Sequence, residues 1–420
     1  MSATSWLYEL DGGATETFYV PMRRVEVGPS AGALKAVADV TTVTYKDAIN
    51  QIDSFEFTIN GGAWAPGTAR YADRLPGQPP DPDAPSLLPG AYVRVWLGYS
   101  TEQLRPMLTG RVTQVTPSFS ADGGTTLTVR ALSTLEALRA APKSFIWKPD
   151  KGATTITDSA IAERIVKTDS ATAVVPNKST EAGVPSVTQS NETDISFLIK
   201  RAKARGYIVF FREILPKPGP AAAGAPPTAP PQPTKVIYFG PSNMLGPAEL
   251  QALGERQSPY RLSWGGSLIE FRPSINLSTT LWRKVSTQFW DRRTKANPLV
   301  SCDLAELWDR ERGINEDLKE LIEPVVTAEN KVTDSPAHTL GEAQDLVRNV
   351  LRENYLQMIT ADGTTVGRPD LRAASRVEVA GIGAPFDGSW FLTNTTHTFD
   401  DNGYRTQFSA RREQCTRGAA

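Results

Sequence analysis

His397 is the residue best placed for acid–base chemistry, standing among Thr393, Asn394, Thr395, Thr396 and Asp400. A hydrolytic triad also needs a nucleophile on a sharp exposed turn and an acid that orients the imidazole. Neither is visible around LTNTTHTFD, whose alternation is that of a strand, so the expectation is a histidine hydrogen-bonded in place. The only other histidine, His338, precedes a helix, and two histidines are too few for a His-based metal site. Cys302 lacks the cationic cradle of a reactive thiolate and reads as a small semi-buried side chain. Cys302 and Cys415 together make neither a metal-ligand pattern nor a secreted disulfide framework. Glu316, Glu320 and Glu323 in NEDLKELIEP recur at helical spacing, as a carboxylate pair for glycoside hydrolysis or as the solvated face of a charged helix, and the solvated face is preferred. Gly363, Gly367, Gly381 and Gly383 do not form a phosphate loop, because GIGAPFDG runs from strand into strand where a nucleotide motif needs a helix start. No catalytic, cofactor-binding or metal residue is assigned, no cofactor is expected, and the chain is expected not to be an enzyme.

The charge balance, 45 Lys and Arg against 46 Asp and Glu for a net −1, gives no overall field that would recruit nucleic acid or an anionic membrane. No sequence-specific nucleic-acid recognition is expected. The basic cluster Lys200, Arg201, Lys203 and Arg205 is read as a solvated face that compensates a helix dipole. No apolar run approaches the length of a membrane span, and the N-terminus lacks the pattern of an export signal, so synthesis in a reducing cytoplasm is expected. Trp64, Trp147 and Trp282 are equally compatible with interface anchors and with core packing.

The elements that must position these residues are mostly strands. DSFEFTIN and AYVRVWLGY alternate apolar and polar residues, and LTGRVTQVTPSFSADGGTTLTVRAL, from Leu108, reads as two strands about Asp122-Gly123-Gly124. AWAPGTARYADRLPGQPPDPDAPSLLPG between them is a long Pro- and Gly-rich loop. In the middle of the chain, Thr157 or Asp158 is expected to cap a short helix with Ala160, Ile161 and Ile165 on its buried side. A second helix is expected from QSNETDISFLIKRAKARGYIVFF: Asn191 as its cap, Asp194 closing a capping box, Ile195, Leu198, Ile199 and Ala202 as one buried stripe, and Gly206 as its left-handed stop. A β-prone run from Tyr207 follows, so this unit is a packing device. Residues 216–235, PKPGPAAAGAPPTAPPQPTK, read as an exposed loop. KVIYFG, SLIEFRP and KVSTQFWD restore the strand pattern, with Val285, Thr287 and Phe289 on one face. Thr339 and Glu342 form a capping box ahead of the stripe Leu346, Val347, Val350, Leu351 and Met358. Three closing strands end in a hairpin at Asp401-Asn402-Gly403. LTGRVTQVTPSFSADGGTTLTV and LTNTTHTFDDNGYRTQF echo one another, which suggests two similar β-units separated by an insert.

Two segments carry a family resemblance. Gln189, Asn191, Asp194, Phe197, Leu198, Gly206 and Tyr207, and near the end Gly367, Pro369, Phe386, Gly388, His397, Thr398, Gly403, Tyr404, Thr406 and Phe408, occupy the positions of motifs of the phage late control protein D family. The chain resembles that family from about Leu108 to Arg412, and by strand pattern alone before that. The family comprises baseplate hubs of contractile tails and is similar to the N-terminal hub part of the VgrG spike proteins of type VI secretion.

The resemblance implies a mixed α+β, β-dominated fold with two tail-tube-like antiparallel β-barrels per chain and small α/β and helical inserts. The implied division is a first barrel over 1–140, an α/β insert over 141–240 ending in the Pro/Ala-rich loop, a second barrel from 241–300 with 376–415, and a helical insert over 301–375. It further implies a structural hub, in the baseplate of a virion tail or of a phage-derived contractile injection particle, that joins a hexameric inner tube to a trimeric spike. The implied partners are itself as a homotrimer, a spike protein supplied as a separate chain, the inner tube protein and other baseplate components. The competing functional class is a tail-tip enzyme that degrades peptidoglycan; a third is a free, monomeric carbohydrate-binding β-protein.

Overall fold

The computed structural model describes residues 20–63, 87–99, 104–119, 124–139, 141–168, 171–176, 178, 181–214, 234–253, 259–276, 281–290, 294–310, 322–333, 337, 339–383 and 386–413. Trp64, the long Pro-rich loop up to residue 86, Asp122, Gly123, Glu316, Glu320, His338, Cys415 and most of the Pro/Ala tract lie outside the described residues. The fold is mixed and β-dominated, with one large curled sheet of 13 strands.

The first β-unit contains β1 (Met22–Gly28), β2 (Lys35–Ala36), β3 (Val40–Ala48), β4 (Ser54–Ala63), β5 (Tyr92–Gly98), β6 (Arg105–Phe119) and β7 (Gly124–Ser133). Between the two β-units come β8 (Lys143–Trp147), α1 (Asp158–Thr168), β9 (Thr172–Val174), β10 (Val187–Glu192), α2 (Asp194–Arg205), β11 (Ile208–Ile214), β12 (Thr234–Gly240) and α3 (Pro247–Ala252). The rest of the chain forms β13 (Tyr260–Ser263), β14 (Leu268–Ile275), β15 (Lys284–Gln288), β16 (Leu299–Asp303), α4 (Leu304–Arg310), β17 (Glu329–Val332), α5 (Leu340–Leu356), β18 (Ile359–Val366), β19 (Arg376–Ala380), β20 (Gly388–Asp400) and β21 (Gly403–Arg411).

The large sheet repeats itself. Its first part runs β3-β4-β7-β6-β5 and its second β14-β18-β21-β20-β19, so five strands occur twice in the same spatial and the same sequential order. Two irregularities of each unit coincide as well, whereas those between β4 and β7 and between β5 and β6 have no counterpart. β6 and β20 each carry one bulge against their hairpin partner, between Val112 and Gln114 and between Leu392 and Asn394. β3 and β14 each carry one against the next strand, between Val40 and Thr42 and between Leu268 and Glu270. A bulge is a specified feature of a ladder, and four in matching places set the alignment residue by residue. VTQVTPSF, residues 112–119, superposes on LTNTTHTF, residues 392–399, four positions away from the LT-to-LT alignment that the sequence alone suggests. At each bulge a threonine hydroxyl donates to the facing strand, Thr113 to the carbonyl of Arg130 at 3.3 Å and Thr393 to that of Ser409 at 3.1 Å. The repeat stops at its border: β1 is antiparallel to β5, whereas β13, in the corresponding place, is parallel to β19.

Two large cores follow the two units, the first also taking in α1, α2, Phe399 and Tyr404. Two expectations about single strands change. The KVSTQFWD strand, β15, is not part of the large sheet; it is the middle of a separate sheet β16-β15-β17, against which α5 lays Ala343, Val347 and Leu351. Conversely β18, inside the stretch expected to be helical, pairs with β14 and β21 in the large sheet. Val285 and Thr287 alternate equally well for either sheet, and the α5 stripe decides which one they cover.

Candidate functional site: the joint between the β-units

The two β-units meet where β3 pairs antiparallel with β20, from Asn394 opposite Ala48 to Phe399 opposite Val43. The strand pattern VTTVTYKDA places Val43, Tyr45 and Asp47 on one face, and all three are buried. A carboxylate in that company needs partners to offset its lost hydration. Arg372 supplies the main one, its Nε donating to Asp47 Oδ2 at 2.6 Å and its Nη2 donating to the Tyr45 hydroxyl. Arg212, from β11 of the insert, lies 3.5 Å from the same oxygen and donates to the carbonyl of Ala373. The Ala373 amide also donates to Asp47, at 3.2 Å. Asp53 accepts from the Tyr45 hydroxyl at 2.8 Å and stands 3.6 Å from Arg372. One cluster therefore ties the first β-unit, the insert and the turn before β19 together.

Burial would raise the Asp47 carboxyl, but the Arg212 and Arg372 guanidiniums and the Arg372 hydrogen bond hold it below the ordinary carboxylate range. Burial, with ionised Asp47 nearby, pushes Asp53 up to about 8. Among the described residues neither Asp47 Oδ1 nor Asp53 Oδ1 finds a hydrogen-bond donor.

His397 belongs to this joint. It is fully buried; its Nε2 lies 3.0 Å from the Leu371 carbonyl and its Nδ1 lies 2.9 Å from the Tyr404 hydroxyl and 3.1 Å from the Thr406 hydroxyl. A carbonyl only accepts, so Nε2 carries the proton and Nδ1 accepts. Burial, and then the Arg372 charge, lower the imidazole to about 3, so it is neutral near pH 7. Its ring atoms are enclosed, which suits a strut better than a proton shuttle.

Of the other motif residues, one group surrounds His397 through Tyr404 and Thr406, and the other lies in the insert. Gly367 and Tyr404 do touch one another: the Gly367 amide donates to the Tyr404 carbonyl at 2.9 Å, and a β-carbon at 367 would lie 2.1 Å from the Tyr404 ring. Pro369 sits half-buried in the turn that follows, closed by the Leu371 amide on the Arg368 carbonyl. Gly388 and Gly403 begin β20 and β21 with positive φ, 117° and 105°. In the insert, Gln189 is buried, accepts from Trp147 Nε1 at 3.1 Å and donates to Asp194 Oδ1 at 3.0 Å. Phe197 stacks on Trp147 with centroids 6.5 Å apart, and Leu198 is buried beside it. Tyr207 meets Phe239 edge-on.

Asn191 is not the helix cap. Thr193 is, its hydroxyl accepting from the Ser196 amide, while Asn191 has φ 49° in the irregular pairing between Gln189 and Glu192. The Gln189 amide, which also donates to the Glu192 carbonyl, occupies Asp194 and shifts the cap by two residues. Gly206 is the left-handed stop at φ 66°, with Asn349 of α5 so near that a side chain there would collide. Thr157 does cap α1, accepting from the Ala160 amide, and Glu181 takes the Asp158 and Ser159 amides. The basic cluster is only half solvated. Arg201 and Arg205 both donate to buried Asp158, at 2.6 Å and 2.7 Å, and so join α2 to α1.

The sequence reading missed Tyr45, Asp47, Asp53, Arg212 and Arg372. A usable signal was present for two: Asp47 and Arg212 fall at the buried parity of otherwise apolar strand faces, where a charge implies a buried partner.

Among the described residues no group of His, Cys, Asp and Glu could hold a metal ion, and no helix is long and apolar enough to cross a membrane. Solved structures with a similar fold include those of tail proteins. The 43 kDa tail protein of prophage MuSo2 from Shewanella oneidensis has a TM-score of 0.58 at 13% identity, over 93% of this chain and 98% of that one. The tail protein from Neisseria meningitidis MC58 has a TM-score of 0.59 at 13% identity, over 94% of this chain and 97% of that one. A chain of the Francisella PdpA–VgrG complex has a TM-score of 0.51 at 9% identity, over 95% of this chain but 59% of that one. A comparison with curated protein sequences finds no significant match. Residues 22–252, more than half of the chain, match the family model described as the Alg8 N-terminal domain, and the chain belongs to that family.

Proposed function

We propose that the chain is a structural hub of a contractile tail or phage-derived contractile injection particle, of the late control protein D type, which joins a hexameric inner tube to a trimeric spike. The observation that carries this reading is the duplicated sheet. Five strands recur with the same order and with two bulges of each unit in matching places, so one chain presents two similar β-units. Three such chains around an axis offer six equivalent surfaces, which is the arithmetic needed to meet a sixfold tube at one end and a threefold spike at the other. In this reading the first unit lies within residues 1–140, the insert within 141–240, and the second unit draws on β13, β14 and β18 to β21. The buried cluster at Asp47 and Arg372 then has a mechanical role: it holds two units at a fixed angle while the tube transmits force. No turnover is involved.

The fold shared with tail proteins and with a chain of a VgrG complex supports a place in a tail tip, with a spike, a tube protein and baseplate components as partners. Native mass measurement of the isolated chain tests the stoichiometry. A trimer, alone or with a spike chain, is expected; a monomer, a dimer or a hexamer overturns the reading. Release of peptidoglycan fragments by the isolated chain would favour the enzymatic class instead.

A further inference from the structure

The repeat has a consequence for the edges of the sheet. Inside the chain, β3 of the first unit pairs with residues 394–399 of β20. The strand equivalent to β3 is β14, and the stretch equivalent to 394–399 is residues 114–119 of β6. From Phe271 to Ile275 β14 pairs with β18 on one side only, and β6 beyond Val112 pairs with β7 on one side only, among the described residues. Each unit therefore displays the half of a joint that the other unit has already used.

We propose that β14 of one copy pairs antiparallel with residues 114–119 of β6 of a second copy, in the register that β3 and β20 adopt inside the chain. This rests on the reading of the chain as an oligomeric hub and names the surfaces through which copies meet. The equivalences set Val115 opposite Ile275, Pro117 opposite Pro273 and Phe119 opposite Phe271.

Their counterparts in the internal joint are Thr395 opposite Asp47, His397 opposite Tyr45 and Phe399 opposite Val43, all buried. At the outer edges the same positions are apolar and more exposed: Phe119 is 62% exposed where Phe399 is 5%, and Ile275 is 39% exposed where Asp47 is 1%, while Val115, Phe271 and Pro273 are half-buried. The opposite parity sets Gln114, Thr116 and Ser118 against Asn276, Ser274 and Arg272, polar against polar. A slip by one residue would place apolar side chains against polar ones along the whole joint, so the alternation selects this register.

The facing prolines add a further property. Neither Pro117 nor Pro273 has an amide hydrogen, so the joint between copies has fewer backbone hydrogen bonds than the internal one and depends more on apolar burial. In a lone copy the same two residues blunt edges that would otherwise template indiscriminate pairing. Assembly is thereby selective for a partner that brings the complementary apolar row.

Cysteine pairs in the full chain test the register, in a Cys415→Ser background. Ser118→Cys with Arg272→Cys places two sulfurs directly across the joint, while Ser118→Cys with Ser274→Cys is displaced by two residues on the same face. Mild oxidation should convert most of the first variant into covalent oligomers on a non-reducing gel, with roughly tenfold less from the second. The variant Ile275→Lys, at a position exposed in the single copy, should weaken association by roughly tenfold or more while its melting temperature as a monomer is unchanged. An oligomer by native mass that fails to cross-link through 118 and 272, or cross-links better through 118 and 274, overturns this register and leaves the hub reading standing. A wild-type chain that is monomeric at all concentrations overturns both.

Discussion

His397 on β20 stands directly opposite Tyr45 on β3, their ring centroids 5.8 Å apart, on the strand pair that joins the two β-units. The imidazole holds its orientation through the Leu371 carbonyl and the Tyr404 hydroxyl, and acceptance by Nδ1 from that hydroxyl requires its neutral form.

Acid should therefore loosen the joint. His397 titrates at about 3 in the folded chain and near 6.5 when unfolded. Between those values the unfolded state binds the extra proton, so stability falls as pH is lowered from about 6.5 towards 3, by at most about 1.4 kcal/mol per pH unit. His397→Gln should flatten that slope. Equal pH dependence of urea unfolding in wild type and variant would show that the imidazole titrates as in solvent.

Asp53 acts in the opposite sense. Its folded value of about 8 lies above an unfolded value near 4, so between them the folded state holds the extra proton and stability falls as pH rises. Asp53→Asn, which keeps an acceptor for the Tyr45 hydroxyl, should remove this loss and gain on wild type from about pH 4 to pH 8. The check is the difference between the two unfolding free energies across that range; a variant that loses ground as pH rises contradicts it.

Arg372→Ala should cost roughly 3–5 kcal/mol, because it leaves Asp47 buried without its closest guanidinium. Arg212 remains 3.5 Å from Asp47 and gives partial compensation. Denaturant unfolding measures the loss; a change under about 1 kcal/mol would mean that the cluster is open to water.

Gly367→Ala should destabilise by about 1–3 kcal/mol, because the added carbon meets the buried Tyr404 ring and the strand ends there cannot separate without breaking the Gly367 amide bond to the Tyr404 carbonyl. Thermal melting checks this. Gly403→Ala has open space around the new carbon, so its cost comes from its φ of 105° instead. The two variants separate crowding from backbone strain.

Local signals were enough for much of this protein. The α2 helix, its Gly206 stop, the Thr339 cap of α5, the alternating strands and the Asp401-Asn402 turn are legible because each depends on residues a few positions apart. The two echoing hairpins were also visible, although their alignment was displaced by four residues, since two bulges that only the ladder reveals set the register. Asn191 is not the cap because β10 continues through it and the Gln189 amide of the same strand takes the Asp194 carboxylate. Which sheet β15 belongs to, and which strands lie beside β14 and β6, were decided by contacts across the chain. So was the joint itself. Asp47 and Arg372 are 325 residues apart, and no local pattern can pair them; the sequence alone determined that a charge sat at a buried parity, and only the folded sheet, by bringing β3 against β20, supplied the partner that makes its burial tolerable.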